Sequence, residues 1–139
     1  MICTAKEGLE LNKVGGKAFN LARLSLNDFN VPPFIILDTD EFWNFLAKDK
    51  ERYKELLLNY NASSLSEIRK LIENKEFSLI SKERIKTKLD EVFKTHGKII
   101  IRSSATDEDG NNYSFAGMME SYPDLSIEDD VFGYIKKCY

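Results

Sequence analysis

The chain has 139 residues, of which 42% are hydrophobic and 31% charged, and its 20 Lys and Arg against 23 Asp and Glu leave a net charge of −3. A chain of this length builds one modest core, burying roughly two thirds of the surface its unfolded form exposes, and its composition excludes a disordered or collagen-like polymer. The acidic balance argues against a nucleic-acid partner, which calls for a basic patch or stripe, and no run of about 18 apolar residues is present to span a bilayer.

The opening residues MICTAKEGLELNK lack the apolar stretch of a secretory signal, so a cytoplasmic location is expected. No repeat and no linker rich in Pro, Gly or Ser divides the chain, which is read as a single unit over 1–139. Gly15-Gly16-Lys17 heads the segment AFNLARLSL. A helix is predicted there from about residue 16 to 27, ending before Asn30-Val31-Pro32-Pro33 because proline disfavours helical geometry in the residue that precedes it. Phe34-Ile35-Ile36-Leu37 then reads as a short buried strand. Asp38, with Glu41 three positions on, predicts an N-cap for a helix whose apolar face is Phe42, Phe45 and Leu46.

In the middle third, Ser64-x-x-Glu67 has the form of a capping box, heading a helix with Leu65, Ile68, Leu71 and Ile72 on one side. Ser81 is read as the cap of the next helix, with Ile85, Leu89, Val92 and Phe93 as its stripe. Lys, Arg and Glu interleave between these apolar positions, which describes a solvated helix surface. His96-Gly97 closes that helix, and Ile99-Ile100-Ile101 is the clearest strand in the chain. From 102 to 121 turn residues are dense and no helical stripe exists. Such long loops in compact domains are mostly functional or disordered, and the aromatic and apolar residues in this one favour function. Ser126-x-x-Asp129 starts a last helix bearing Val131, Ile135 and Cys138. The expected fold is α+β, with short central strands and several helices.

Chemistry concentrates at two places. Gly15-Gly16-Lys17 is not a P-loop, because Ala18 stands where a magnesium-binding hydroxyl is required. Two glycines followed by a helix start do present free N–H groups and a positive dipole end to an anion. Alone, the triplet reads first as a helix N-terminus with an exposed lysine and only second as a phosphate site. Arg102 follows directly on the apolar strand, where α/β sheets gather ligands, and its guanidinium suits a phosphate. Ser103, Ser104 and Thr106 set hydroxyls beside it. The competing reading pairs Arg102 with Asp107, Glu108 or Asp109 to pin the turn. The segment Ser114 to Ser121 has the make-up of a phosphate cradle around Gly117. Phe115 or the paired Met118 and Met119 are read as a cover for an adenine ring, the two methionines equally as core. Asp107, Glu108 and Asp109 suit a hard cation but lack the spacing of a calcium loop, so no metal site is assigned. Cys3, Cys138 and the single His96 are too few for structural zinc, and two reduced thiols are expected.

Val14-Gly15-Gly16-Lys17, Val31-Pro32-Pro33, Arg102-Ser103-Ser104-Ala105-Thr106, Glu108-Asp109 and Ser114-Phe115-Ala116-Gly117, in this order and spacing, resemble the amino-terminal nucleotide-binding domain of the phosphoenolpyruvate synthase and pyruvate phosphate dikinase family. Rifampicin phosphotransferases share that domain. The resemblance runs from Val14 to the final helix. It implies the first lobe of an ATP-grasp-like fold that binds ATP and passes phosphate to a histidine on a separate domain. By motif position, Lys17 and Arg102 are the implied catalytic cations on the nucleotide phosphates. Thr106, Gly117, Met118, Met119, Glu120 and Ser121 join them in the implied ATP site, with Gly117 to Ser121 as the phosphate-covering loop. Ser121 keeps the hydroxyl of the family's threonine. Departures are Phe34 in place of glycine, the turn Gly110-Asn111-Asn112-Tyr113, and Pro123 in what is normally a strand. The resemblance implies that the Mg²⁺ ligands, the second lobe and the phosphorylated histidine lie outside these residues, His96 being wrongly placed for that role. The expected partners are a nucleotide and the missing lobe or another chain. An alternative reading is a non-catalytic interaction module that pairs with a second polypeptide.

Overall fold

The computed structural model describes residues 2–3, 10–95, 97–106 and 120–139. Among them lie six α-helices and two small antiparallel pairs of strands, a mixed α+β architecture as expected. The first pair joins β1 (Ile2–Cys3) to β2 (Ile36–Leu37), with Ile2 opposite Leu37 and Cys3 opposite Ile36. The strand expected over 34–37 is therefore shorter. Pro32 and Pro33, which lack N–H donors, precede it.

Between these strands runs α1 (Leu11–Leu26), which is helical except at Gly15, where φ is 74° and ψ 165°. The run is thus a single turn, closed by bonds from the amides of Lys13 and Val14 to the Glu10 carbonyl, followed by a regular helix from Gly16. That start matches the expected one. Asn27 ends the helix, its side-chain amide donating to the Arg23 carbonyl at 2.8 Å.

Helix α2 (Thr39–Leu46) begins as its sequence predicts, with the Asp38 carboxylate accepting from the Glu41 amide at 3.1 Å. Its apolar residues Phe45 and Leu46 are buried. Glu41 is buried as well, 3.5 Å from the Arg84 guanidinium. A 3₁₀ turn (Ala47–Asp49) leads into α3 (Lys50–Leu58).

Two caps differ from expectation. Helix α4 (Ala62–Glu73) is capped by Asn61, whose side chain accepts from the amides of Ser63 and Ser64 at 2.9 and 3.0 Å, and Ser64 Oγ accepts from the Asn61 amide at 2.8 Å. Ser64 therefore closes a capping box from its third position instead of opening one, and the Glu67 carboxylate reaches Arg52 on α3 at 2.7 Å. Leu65, expected on the buried side, is 43% exposed. Helix α5 (Leu79–Phe93) is likewise capped three residues earlier than expected, Ser78 Oγ accepting from the Ser81 amide at 3.1 Å. In both cases a short polar residue stands three positions ahead of the serine and can turn its side chain back onto the first helical amides.

The second pair joins β3 (Ile99–Arg102) to β4 (Ser121–Leu125), in the register Ile99–Leu125, Ile101–Tyr122 and Arg102–Ser121, with an irregularity between Ile99 and Ile101. Pro123 and Asp124, the latter with φ of 60°, fall in that irregularity, so the proline interrupts the ladder without ending the strand. Helix α6 (Val131–Cys138) is capped by Asp130, which accepts from the Gly133 amide at 3.0 Å. Ser126 and Asp129, expected to start it, instead close the preceding turn through a 2.7 Å bond from the Ser126 amide to Asp129.

The main core gathers Phe45, Leu46, Ile72, Phe77, Ile85 and Ile135 from α2, α4, α5, α6 and the α4–α5 connection. Leu46 and Ile85 are fully buried, and truncating either to alanine typically costs about 2–5 kcal/mol. The Tyr139 ring packs 4.9 Å from that of Phe42 and 5.3 Å from that of Phe45, and burial is the main cause holding its phenol above the usual tyrosine range. A separate small cluster sets Val14 against Ile36, with Ala18, Phe19 and Phe34 around them. It seats the glycine turn on β2. Phe34, where the resemblance led to the expectation of glycine, packs here.

Candidate functional site

The glycine turn and the end of β3 meet. Gly15 occupies a backbone region open essentially only to glycine. A Cβ built there would lie 2.3 Å from the Ser104 carbonyl oxygen and 2.5 Å from that of Ala105. The absent side chain is thus required by the chain's own backbone: residues 104–105 run directly against position 15.

Ser104 ties the two segments. Its Oγ accepts from the Ala18 amide at 3.0 Å and donates to the Val14 carbonyl at 2.7 Å, across 86 and 90 residues of sequence. A helix starting at Gly16 leaves its first amides unsatisfied. A serine or aspartate in the capping position would accept from the second or third of them. Gly15 has no side chain to do so, and Ser104 performs the task from the other end of the chain.

Lys17 stands half-buried in the first turn of this helix, and Arg102 is exposed at the end of β3. Arg102 forms no ion pair with a described residue, and the acidic turn at 107–109 lies outside the described residues. Arg102 is paired in the ladder with Ser121, and the Ser103 amide donates to the Glu120 carbonyl at 3.5 Å. Residues 120–121 therefore sit beside 102–103, and Thr106 is exposed just beyond. Gly117, Met118 and Met119 lie outside the described residues. So the segments carrying Lys17, Arg102, Thr106, Glu120 and Ser121 come together at one end of the β3–β4 pair.

Glu120 is turned away from that end. Its carboxylate accepts from the Tyr122 hydroxyl, two residues along, and alternate residues of a strand share a face. Ser121, between them, falls on the other face with its ladder partner Arg102. That hydrogen bond is the first cause pushing the Tyr122 phenol up to about 12. The ring lies 5.1 Å from Tyr134, and the Lys137 ammonium sits over both rings at 5.5 and 4.9 Å.

The arrangement suits an anion. A helix start carries a positive dipole end, one lysine sits in its first turn, and one arginine projects from the adjoining strand. No group of three or more His, Cys, Asp or Glu gathers among the described residues. Cys138 is half-buried, and burial raises its thiol above the usual value, which disfavours the thiolate a nucleophile needs. His96 is outside the described residues. No described helix is long and apolar enough to cross a membrane.

The family model for the pyruvate phosphate dikinase AMP/ATP-binding domain matches residues 11–139. The chain belongs to this family. Among curated relatives, a probable phosphoenolpyruvate synthase of Archaeoglobus fulgidus is 32% identical over 91% of the chain and 18% of the relative. The phosphoenolpyruvate synthase of Aquifex aeolicus is 30% identical over 90% of the chain and 17% of the relative. A phosphotransferase of Bacillus subtilis, YvkC, is 25% identical over 97% of the chain and 15% of its own length. The chain thus spans less than a fifth of each of these proteins. Membership supports an AMP/ATP-binding domain of phosphoenolpyruvate synthase-like phosphotransferases.

Ser104 is the site residue that sequence reasoning undervalued. It read as one of several hydroxyls beside Arg102, available to a ligand, whereas both of its hydrogen bonds are to the protein's own backbone. One signal existed: a helix headed by glycine lacks its own capping side chain and must be capped from elsewhere.

Proposed function

We propose that residues 1–139 form the first lobe of an ATP-grasp-like domain in an ATP-dependent phosphotransferase similar to phosphoenolpyruvate synthase and pyruvate phosphate dikinase, working in the cytoplasm. The observation that carries this reading is the junction of the 14–18 turn with residues 102–105 through Ser104. It joins, at one spot, the two motifs whose residue types suit phosphate. In this reading Lys17 and Arg102 neutralise the nucleotide phosphates, and Thr106, Gly117 to Met119 and Ser121 enclose them, while the Glu120 carboxylate is taken by Tyr122. Phosphoryl transfer demands charge neutralisation and positioning more than covalent chemistry from the protein. The Mg²⁺ ligands and the phosphate-accepting histidine belong to parts of the parent enzyme outside these residues. This chain by itself therefore binds ATP weakly and performs no turnover.

Calorimetry with ATP tests the site. Charge-assisted hydrogen bonds contribute about 1.5–3 kcal/mol, so Lys17→Ala and Arg102→Ala should each weaken binding about tenfold to a hundredfold. Equal affinity in both variants and wild type, or no binding by the wild-type chain, overturns the assignment.

A second reading, a half-domain that pairs with another polypeptide, is favoured by Ile100. It is 53% exposed in an apolar strand, on the face that Arg102 shares, and exposed apolar surface favours association. Light scattering showing a monomer at all concentrations, with the rest of the domain failing to bind in trans, would remove it.

A further inference from the structure

We propose that Ser104 is a positioning residue for phosphate binding, holding the Gly15–Ala18 turn to the end of β3 so that Lys17 and Arg102 are presented by one rigid unit. The inference rests on the nucleotide-binding reading above but adds to it a residue that touches no ligand. Ser104 Oγ uses its proton on the Val14 carbonyl and accepts the Ala18 amide. These two groups flank Lys17 within the turn: the carbonyl lies three residues before it and the amide one after. On the other side, Ser104 stands two residues after Arg102 in the segment that follows β3. A single half-buried hydroxyl therefore spans the junction between the two cations.

The backbone fit makes the junction a rigid one. At Gly15 the two segments are too close for even a methyl group, so the turn cannot slide along residues 104–105. Val14, packed on Ile36, closes the other side. Affinity rises when the groups that meet a ligand are already ordered, because their rotational freedom is lost before binding. With the hydroxyl gone, the Ala18 amide and Val14 carbonyl lose their partner, the first helical turn frays, and Lys17 samples positions unrelated to Arg102.

The experiment compares Ser104→Ala, the near-isosteric Ser104→Cys and the hydroxyl-retaining Ser104→Thr by ATP calorimetry, beside amide hydrogen exchange of the nucleotide-free chain. Ser104→Ala and Ser104→Cys should each weaken ATP about tenfold, and Ser104→Thr should restore it to within about threefold of wild type. A double-mutant cycle between Lys17→Ala and Arg102→Ala supplies the readout that a purely structural role would leave alone: the coupling present with Ser104 should vanish with alanine there. Exchange at Ala18 should accelerate in Ser104→Ala and stay slow in Ser104→Thr. If Lys17→Ala and Arg102→Ala weaken ATP but Ser104→Ala and Ser104→Cys do not, the positioning role is overturned while the site stands. Unchanged protection of the Ala18 amide overturns the clip whatever happens with ATP. Absence of ATP binding by the wild type overturns both readings.

Discussion

A single methyl group at position 15 probes the junction most directly. Gly15→Ala places a side chain in a backbone region that ordinary residues avoid, at about 1–3 kcal/mol, and drives its Cβ into the Ser104 carbonyl, where overpacking adds about 1–3 kcal/mol. Stability should fall by about 2–6 kcal/mol in denaturant unfolding. Gly97, which has nothing within 4 Å of a built Cβ, is the control, and its alanine variant should be near neutral. Equal effects at the two positions would show that residues 104–105 do not crowd position 15. Lys17, Arg102 and the glycine pair were legible as residue types suited to phosphate, since charge and conformational freedom are properties of single residues. The partner of the turn, Ser104, was not.

Among the elements, the start of α4 separates two kinds of signal. The motif Ser64-x-x-Glu67 satisfies the capping pattern, yet Asn61 takes the cap, and Ser64 completes the box from inside the helix. Asn61→Ala should cost about 0.5–2 kcal/mol of stability, the usual loss for an N-cap. Glu67→Ala removes only an exposed pair with Arg52 and should cost under about 1 kcal/mol. A larger loss at Glu67 than at Asn61, measured by urea unfolding, would restore the sequence assignment. Asn, Ser and Asp all cap well, so when several stand near a helix start the pattern identifies the helix but not its first residue. The shift at α5 from Ser81 to Ser78 and at α6 from Ser126 to Asp130 has the same cause. Helix type and, apart from Leu65 at its exposed start, the apolar face came through because they are set by periodicity over many residues, which one misplaced cap does not disturb.

For the whole molecule, a mixed-charge seam joins α6 to the α4–α5 connection. The Lys136 ammonium donates to the carbonyls of Glu73 and Lys75 at 3.1 and 3.2 Å and lies 3.3 Å from the Glu76 carboxylate, which also meets Lys82 at 3.0 Å. Lys75 pairs with Asp49. The hydrogen bond from Lys75 chiefly lowers the Asp49 carboxyl, and those from Lys82 and then Lys136 lower Glu76. Both groups are thus held below their unfolded values. Their contribution is complete above the ordinary carboxylate values of 3.8 and 4.5 and is lost as pH falls through the lowered folded values. The urea midpoint of Lys75→Met should therefore lie below that of wild type at about pH 7 and converge with it as the pH falls through the lowered Asp49 value. A gap that persists undiminished in acid would show that Lys75 acts through packing alone.

Composition, periodicity and motif order, read along the chain, determined an α+β fold, a helix from residue 16, an apolar strand over Ile99–Ile101 directly before Arg102, and membership of a nucleotide-binding family. Each depends on residues close together in sequence or on their own chemistry. Only the tertiary structure decided that Gly15 serves the protein's own backbone, that Ser104 caps a helix lying 86 residues earlier, and that Glu120 turns to Tyr122 and away from Arg102. A glycine announces that something must come close, but what comes close is selected by how the core packs, and no local pattern encodes that.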